Sequence, residues 1–122
     1  MQKDVMRSRT EIVNSLIEDK EDVSSLMKEL RTFGWDSDEL VTLTPSHIID
    51  VLNKYLVGDI DGKYVRDWSN AIEQRDDIGM LVGHKETLDE MVFWLANPEL
   101  NYEIDHELAK RIINNLKSNV IE

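Results

Sequence analysis

Apolar residues recur at i, i+3 and i+4 along almost the whole chain, and this rhythm limits it to a helical fold. Val5, Met6, Ile12, Val13, Leu16 and Ile17 share one helical face, and Val23, Leu26, Met27 and Leu30 repeat the pattern. Ile48, Ile49, Val51, Leu52, Tyr55 and Leu56 cover a wider arc, as a central helix does. Tyr64, Val65, Trp68, Ala71 and Ile72 form a fourth stripe. Leu88, Met91, Val92 and Leu95 form a fifth, with Phe93 and Trp94 beside it, and Leu108, Ala109, Ile112, Ile113 and Leu116 a sixth. No segment alternates convincingly with period two, so no strand is expected.

Punctuation supports the same division. Thr44-Pro45 is a start signal, a hydroxyl N-cap followed by Pro in the first turn, and Asp61 and Asp105 are set to cap the helices after them. Gly58 ends the third helix and Asn97-Pro98 the fifth. Phe33-Gly34-Trp35 closes the second, with Gly34 in the left-handed capping position. Residues 35–40 open a short connection of about one helical turn. Asp76-Asp77-Ile78-Gly79 ends the fourth helix, and Gly83 lies in the loop that follows. A break between Asp19 and Asp22 carries no Gly or Pro to mark it. The expected fold is all-α, a compact antiparallel bundle of five or six short helices in one domain, 1–122. A chain of 122 residues buries roughly 65% of its unfolded surface and needs no staples.

Charge then limits function. The chain has 25 Asp and Glu against 14 Lys and Arg, a net charge of −11. That excess repels nucleic acid and anionic membranes and attracts basic surfaces. There is no cysteine, which excludes disulfides, thiolate catalysis and Cys-ligated zinc and suits a reducing cytoplasm. Met1 to Thr10 are charged and show no secretory pattern, and no run is long and apolar enough to span a membrane.

No catalytic motif accompanies the acids. Asp36, Asp38 and Glu39 do not make a calcium loop, because Leu40 and Val41 stand where an oxygen ligand and a glycine belong. Asp59-Ile60-Asp61-Gly62 brings its glycine too early. His106-Glu107 opens like a zinc-protease helix, but Lys110 occupies the second histidine position. His47, His84 and His106 read as scattered surface residues. Glu86 and Asp89 have the E-x-x-D form of some metal-dependent nucleotide hydrolases without a matching second pair. There is no nucleophile elbow and no phosphate-binding glycine loop. No catalytic residue, metal ligand or cofactor is assigned.

Two acidic clusters stand out as binding candidates: Asp36, Asp38 and Glu39 in one, and Glu73, Asp76 and Asp77 in the other. Arg75, between the acids of the second cluster, has a planar fork suited to bridging neighbouring carboxylates and fixing the turn. Trp68 fits a core. Trp35 lies in a polar loop and is a candidate aromatic anchor, and Trp94 lies off the main stripe.

Four segments together resemble a family: Phe33-Gly34-Trp35-Asp36-Ser37-Asp38-Glu39-Leu40-Val41, Tyr55-Leu56-Val57-Gly58, Trp68 to Gly79, and Leu95-Ala96-Asn97-Pro98-Glu99. They look like small bacterial helical proteins, some of them immunity proteins of contact-dependent inhibition and related nuclease-toxin systems. The resemblance implies a cytoplasmic, non-catalytic protein that binds and neutralises a cognate basic toxin domain, in many systems one that cuts transfer RNA. Trp35, Asp36, Asp38, Glu39, Glu73, Asp76 and Asp77 are the expected contacts, chosen on charge and placement. Two other readings share the composition: an acidic helical adaptor or regulator unrelated to toxins, and a metal-dependent nucleotide hydrolase with helix-borne carboxylates.

Overall fold

All the described helices but α5 begin where the sequence supplies an acceptor for their first free amides. In the computed structural model, which describes residues 7–34, 37–73 and 75–120 with side chains to residue 118, Ser8 and Glu11 form a reciprocal capping box at α1 (Arg9–Ile17). Asp22 caps α2 (Val23–Leu30). Thr44 precedes α3 (Pro45–Leu56), with Pro45 in the first turn. Asp61 caps α4 (Gly62–Ile72) through the Tyr64 amide at 2.9 Å. His84 precedes α5 (Lys85–Ala96), and Asp105 accepts from the Leu108 amide at 2.8 Å ahead of α6 (His106–Val120).

The protein is mostly helical, but the described residues also contain two strands. β1 (Val41–Leu43) and β2 (Ile78–Met80) pair in parallel, with Val41 opposite Ile78, Thr42 opposite Gly79 and Leu43 opposite Met80. The all-α expectation holds in its coarse form, a mostly helical chain, and only the expectation that no strand forms is corrected. Three residues are too few for a period-two pattern to show. Two further local corrections follow. Residues 37–40 form no helical turn but lead into β1, and Gly34 is not left-handed; Arg31 caps α2. Gly58 does take a positive φ of 90° at the end of α3, and Gly83 one of 89° before α5. The expected helical positions Val5 and Met6 lie outside the described residues.

The unmarked break after α1 is a Schellman turn with an aspartate where glycine usually sits. Asp19 has φ 51°, its amide donates to the Leu16 carbonyl, and the Lys20 amide donates to that of Ser15. The side chain explains the choice of residue. Asp19 accepts from Lys54 Nζ at 2.9 Å and from the Tyr64 hydroxyl at 2.7 Å, and its backbone carbonyl accepts from Lys54 as well. One carboxylate thus ties the end of α1 to α3 and α4. Burial, and then the Asp19 carboxylate, push the Tyr64 phenol well above its ordinary pKa.

Trp68 makes a second link to the same turn. It is fully buried, and its indole donates to the Leu16 carbonyl at 2.7 Å. Around it one continuous core draws on both strands and all six helices, including Leu16, Leu26, Leu43, Ile48, Ile78, Leu88 and Ile112. The principal helix neighbours are α4 with α5, α3 with α6, and α1 with α2. No described helix is long and apolar enough to cross a membrane.

His47 is half-buried and acts in the α3 start. Its Nδ1 accepts from the Thr44 amide at 2.9 Å, so it is more than the simple surface residue expected. Burial lowers the imidazole pKa below its ordinary value, against the opposing pull of Glu18 and Asp50.

Replacing Asp19 by Ala leaves the Lys54 ammonium only the backbone carbonyl of residue 19 and puts a Cβ residue without a compensating acceptor at positive φ. Urea unfolding is expected to show a loss of about 3 kcal/mol, with Asp19→Asn losing clearly less. Equal losses for Ala and Asn would contradict this role.

Candidate functional site

Parallel pairing places the N-terminal flanks of β1 and β2 at one end of the sheet. The two acidic clusters occupy those flanks. The Leu40 amide donates to the Asp77 carbonyl at 2.9 Å and the Val41 amide to the same oxygen at 3.3 Å, which fastens one cluster against the other. Asp38, Glu39 and Asp76 are exposed there. The Glu39 carboxyl folds over Gly79, where a Cβ would collide with it. The absence of a side chain at Gly79 is therefore what lets this carboxylate lie across β2. Trp35 and Asp36 lie outside the described residues.

Glu73 sits at the end of α4, half-buried, and accepts from the Asn97 side-chain amide at 3.3 Å. It joins the last turns of α4 and α5 and stands beside the exposed cluster.

Asp77 behaves differently from its neighbours. It is only 1% exposed. Arg75 grips it with both arms of the fork, Nε to Oδ1 at 2.9 Å and a terminal nitrogen to Oδ2 at 3.0 Å. Arg9 reaches it from α1, Nε to Oδ2 at 3.0 Å. Burial opposes the carboxylate charge, but Arg75 and then Arg9 outweigh it and hold the pKa below its ordinary value. The expectation that Asp77 offers its charge to a partner is corrected: the charge is spent inside the protein. The expected bridging by Arg75 is what the structure contains. Arg9 was not among the candidates. It lies 68 positions away, on a helix of ordinary amphipathic pattern, and no local signal marks it.

An open cleft of about 510 Å³ lies next to this triad. Met27, Leu30 and Phe33 form an apolar wall, and Asn70, Glu73 and Asp76 stand opposite. Arg9 also lies over the Phe33 ring, 5.7 Å from its centroid, so the guanidinium joins the apolar wall to the buried carboxylate. The cleft carries three arginines (Arg9, Arg31 and Arg75) as well as three acids, so it is not itself strongly negative.

The other sequence candidates are dispersed. Glu86 and Asp89 are exposed on α5, and Asp89 pairs with Lys85 at 2.7 Å. His106 is exposed and meets the Tyr55 ring edge-on at 5.2 Å. Among the described residues no three His, Asp or Glu side chains gather closely enough to hold a metal ion. Trp94 is partly exposed and packs edge-on against Tyr102, which in turn receives the Arg111 guanidinium.

No family model, curated protein or solved structure matches the chain.

Asp77→Asn keeps the shape of the triad and removes its only negative charge. About 3 kcal/mol of stability is expected to disappear at neutral pH, because two partly buried guanidiniums lose their counter-ion. The native carboxyl has a lowered pKa, so its contribution is complete above the ordinary value of 3.8 and fades as pH falls through the native one. Stability of Asp77→Asn is therefore expected to fall less steeply with pH than wild type between the ordinary value and the lower native one. An unchanged slope would show that Asp77 does not carry the acid sensitivity.

Proposed function

We propose that the protein is a non-catalytic binding module, an immunity protein that neutralises a basic toxin domain. The observation that carries the reading is the joining of two sequence-distant acid clusters on one exposed end of the sheet. Asp38, Glu39 and Asp76 face solvent there, with Glu73 beside them, on a protein of net charge −11. The helices and the strand pair share one buried core beneath this surface, so few groups need ordering when a partner arrives.

The physics suits a nuclease partner. A nuclease must attract phosphate and so carries a basic cleft. Carboxylates can take the place of phosphates in such a cleft and keep RNA out. Opposite charge also speeds encounter, which matters against a toxin present in few copies. Trp35 and Asp36 remain proposed contacts from their place in the chain between Gly34 and Ser37. The resemblance to immunity proteins of contact-dependent inhibition, and a cytoplasmic site of action, belong to this reading. A regulator unrelated to toxins shares the charge and is separated from it by the same experiment.

Co-expression with the toxin domain encoded beside it is expected to restore growth. Asp38→Lys combined with Asp76→Lys is expected to abolish rescue and to slow association by about tenfold or more at low salt, with the deficit shrinking as salt rises. Both positions are exposed and unpaired in the core, so circular dichroism of the variant should match wild type. Rescue that survives both reversals would overturn the reading.

A further inference from the structure

Two helices of this chain start with the same arrangement and different chemistry. At α1 the Glu11 carboxylate accepts from the Ser8 amide at 2.9 Å. At α3 the equivalent position, three residues after the N-cap, holds His47, whose Nδ1 accepts from the Thr44 amide at 2.9 Å. Glutamate and glutamine are the usual residues there. An imidazole does the same work only while it is neutral. The bond from the Thr44 amide assigns the tautomer: Nδ1 accepts, so the ring proton sits on Nε2. A second proton turns Nδ1 into a donor. The Thr44 hydroxyl, 3.1 Å from the same nitrogen, can accept from it, but the Thr44 amide cannot. Among the described residues no other contact offers that amide an acceptor.

Charge works in the same direction. A carboxylate in the first turn gains from the helix dipole, and an imidazolium there is opposed by it. Glu18, at the end of α1, and Asp50, on α3 itself, are the charged groups that favour protonation; Lys20 already holds Glu18 at 3.1 Å, and burial of the ring outweighs both acids. Burial lowers the imidazole pKa from its ordinary 6.5, so the native protein takes up this proton later than the unfolded chain. The stability that the cap contributes is complete above 6.5 and is lost as pH falls through the native value. The place of the cap gives it reach. Thr44 directly follows β1, whose last residue, Leu43, is fully buried and accepts at its carbonyl from the Leu81 amide. The first turn of α3 carries the buried Pro45 and Ile48.

We propose that His47 is an acid-operated catch between β1 and α3: neutral, it closes the junction through the Thr44 amide, and protonated, it releases the first turn of α3 and the end of β1. The chain leads into the other end of that strand through Asp38 and Glu39. The strand is thereby firm at neutral pH and loosened in mild acid, whatever the partner is.

Amide hydrogen exchange and proton NMR on the full chain, from about pH 7.5 to about 4.5, test this. Exchange is expressed as protection, so that the intrinsic pH dependence of the reaction drops out. Protection of the Thr44 amide is expected to fall by about fivefold or more on acidification, along the titration curve of the His47 ring. The Tyr64 and Leu108 amides, held by Asp61 and Asp105 at the starts of α4 and α6, should keep theirs. His47→Gln retains an acceptor and removes the titration, so its Thr44 protection should change by less than about twofold over the same range. The wild-type data stand even if His47→Gln fails to fold. Constant protection at Thr44 while the ring titrates would overturn the proposal, and so would a ring that stays neutral throughout. An equal fall in His47→Gln would overturn it too, as would an equal fall at Tyr64 and Leu108, which would make the loss one of the whole fold.

Discussion

A single buried carboxylate, Asp77, decides where the acidic surface lies. It is held by Arg75 from its own turn and by Arg9 from the first helix. The Asp77 carbonyl receives two amides from the segment entering β1. Side chain and backbone of one residue thus join the N-terminal helix, the first strand and the second. Burying a charge is tolerated only when it is paired and hydrogen-bonded, and here both oxygens are used. With that anchor, Asp38 and Glu39 arrive beside Asp76. The ladder of β1 and β2 holds the same two flanks from the strand side.

The other end of α1 uses the same device. Asp19 holds Lys54 and Tyr64 while its backbone turns through a left-handed conformation, and Trp68 donates to the neighbouring Leu16 carbonyl. Asp77 and Asp19 are therefore structural, each committed to basic or phenolic partners, as Glu11, Asp22, Asp61 and Asp105 are committed to helix starts. The acids left over are those on the outside, and they set the character of the surface that a partner meets. Arg75 and Arg9 neutralise the innermost acid, so the exposed charge at this end of the sheet is that of Asp38, Glu39 and Asp76.

Much of the fold was legible from spacing and caps. Asp61 and Asp105 each hold an amide at the helix start expected of them, and Thr44-Pro45 opens α3; the apolar stripes are the buried faces. What escaped has physical causes. Val41–Leu43 and Ile78–Met80 are strands because each finds the other across the core, and three residues carry no period of their own. Asp19 ends α1 in a conformation usually marked by glycine, and its reason, Lys54 and Tyr64, lies far along the chain. Gly34 looked like a helix cap, but α2 had already stopped at Arg31. In the site, the sequence marked both acid clusters and the Arg75 bridge. It could not show that Asp77 turns inward, because that depends on Arg9, whose approach is purely tertiary.

The account stands on the Arg9 and Asp77 pair acting as a coupled unit. A double-mutant cycle with Arg9→Met and Asp77→Asn, read by urea unfolding at neutral pH, measures this directly. The account predicts a coupling of about 2 kcal/mol, with the double variant far less damaged than the sum of the single ones. Simple additivity would mean that the pair does not act as a unit tying α1 to the turn before β2, and the placing of Asp77 inside the protein would need another cause.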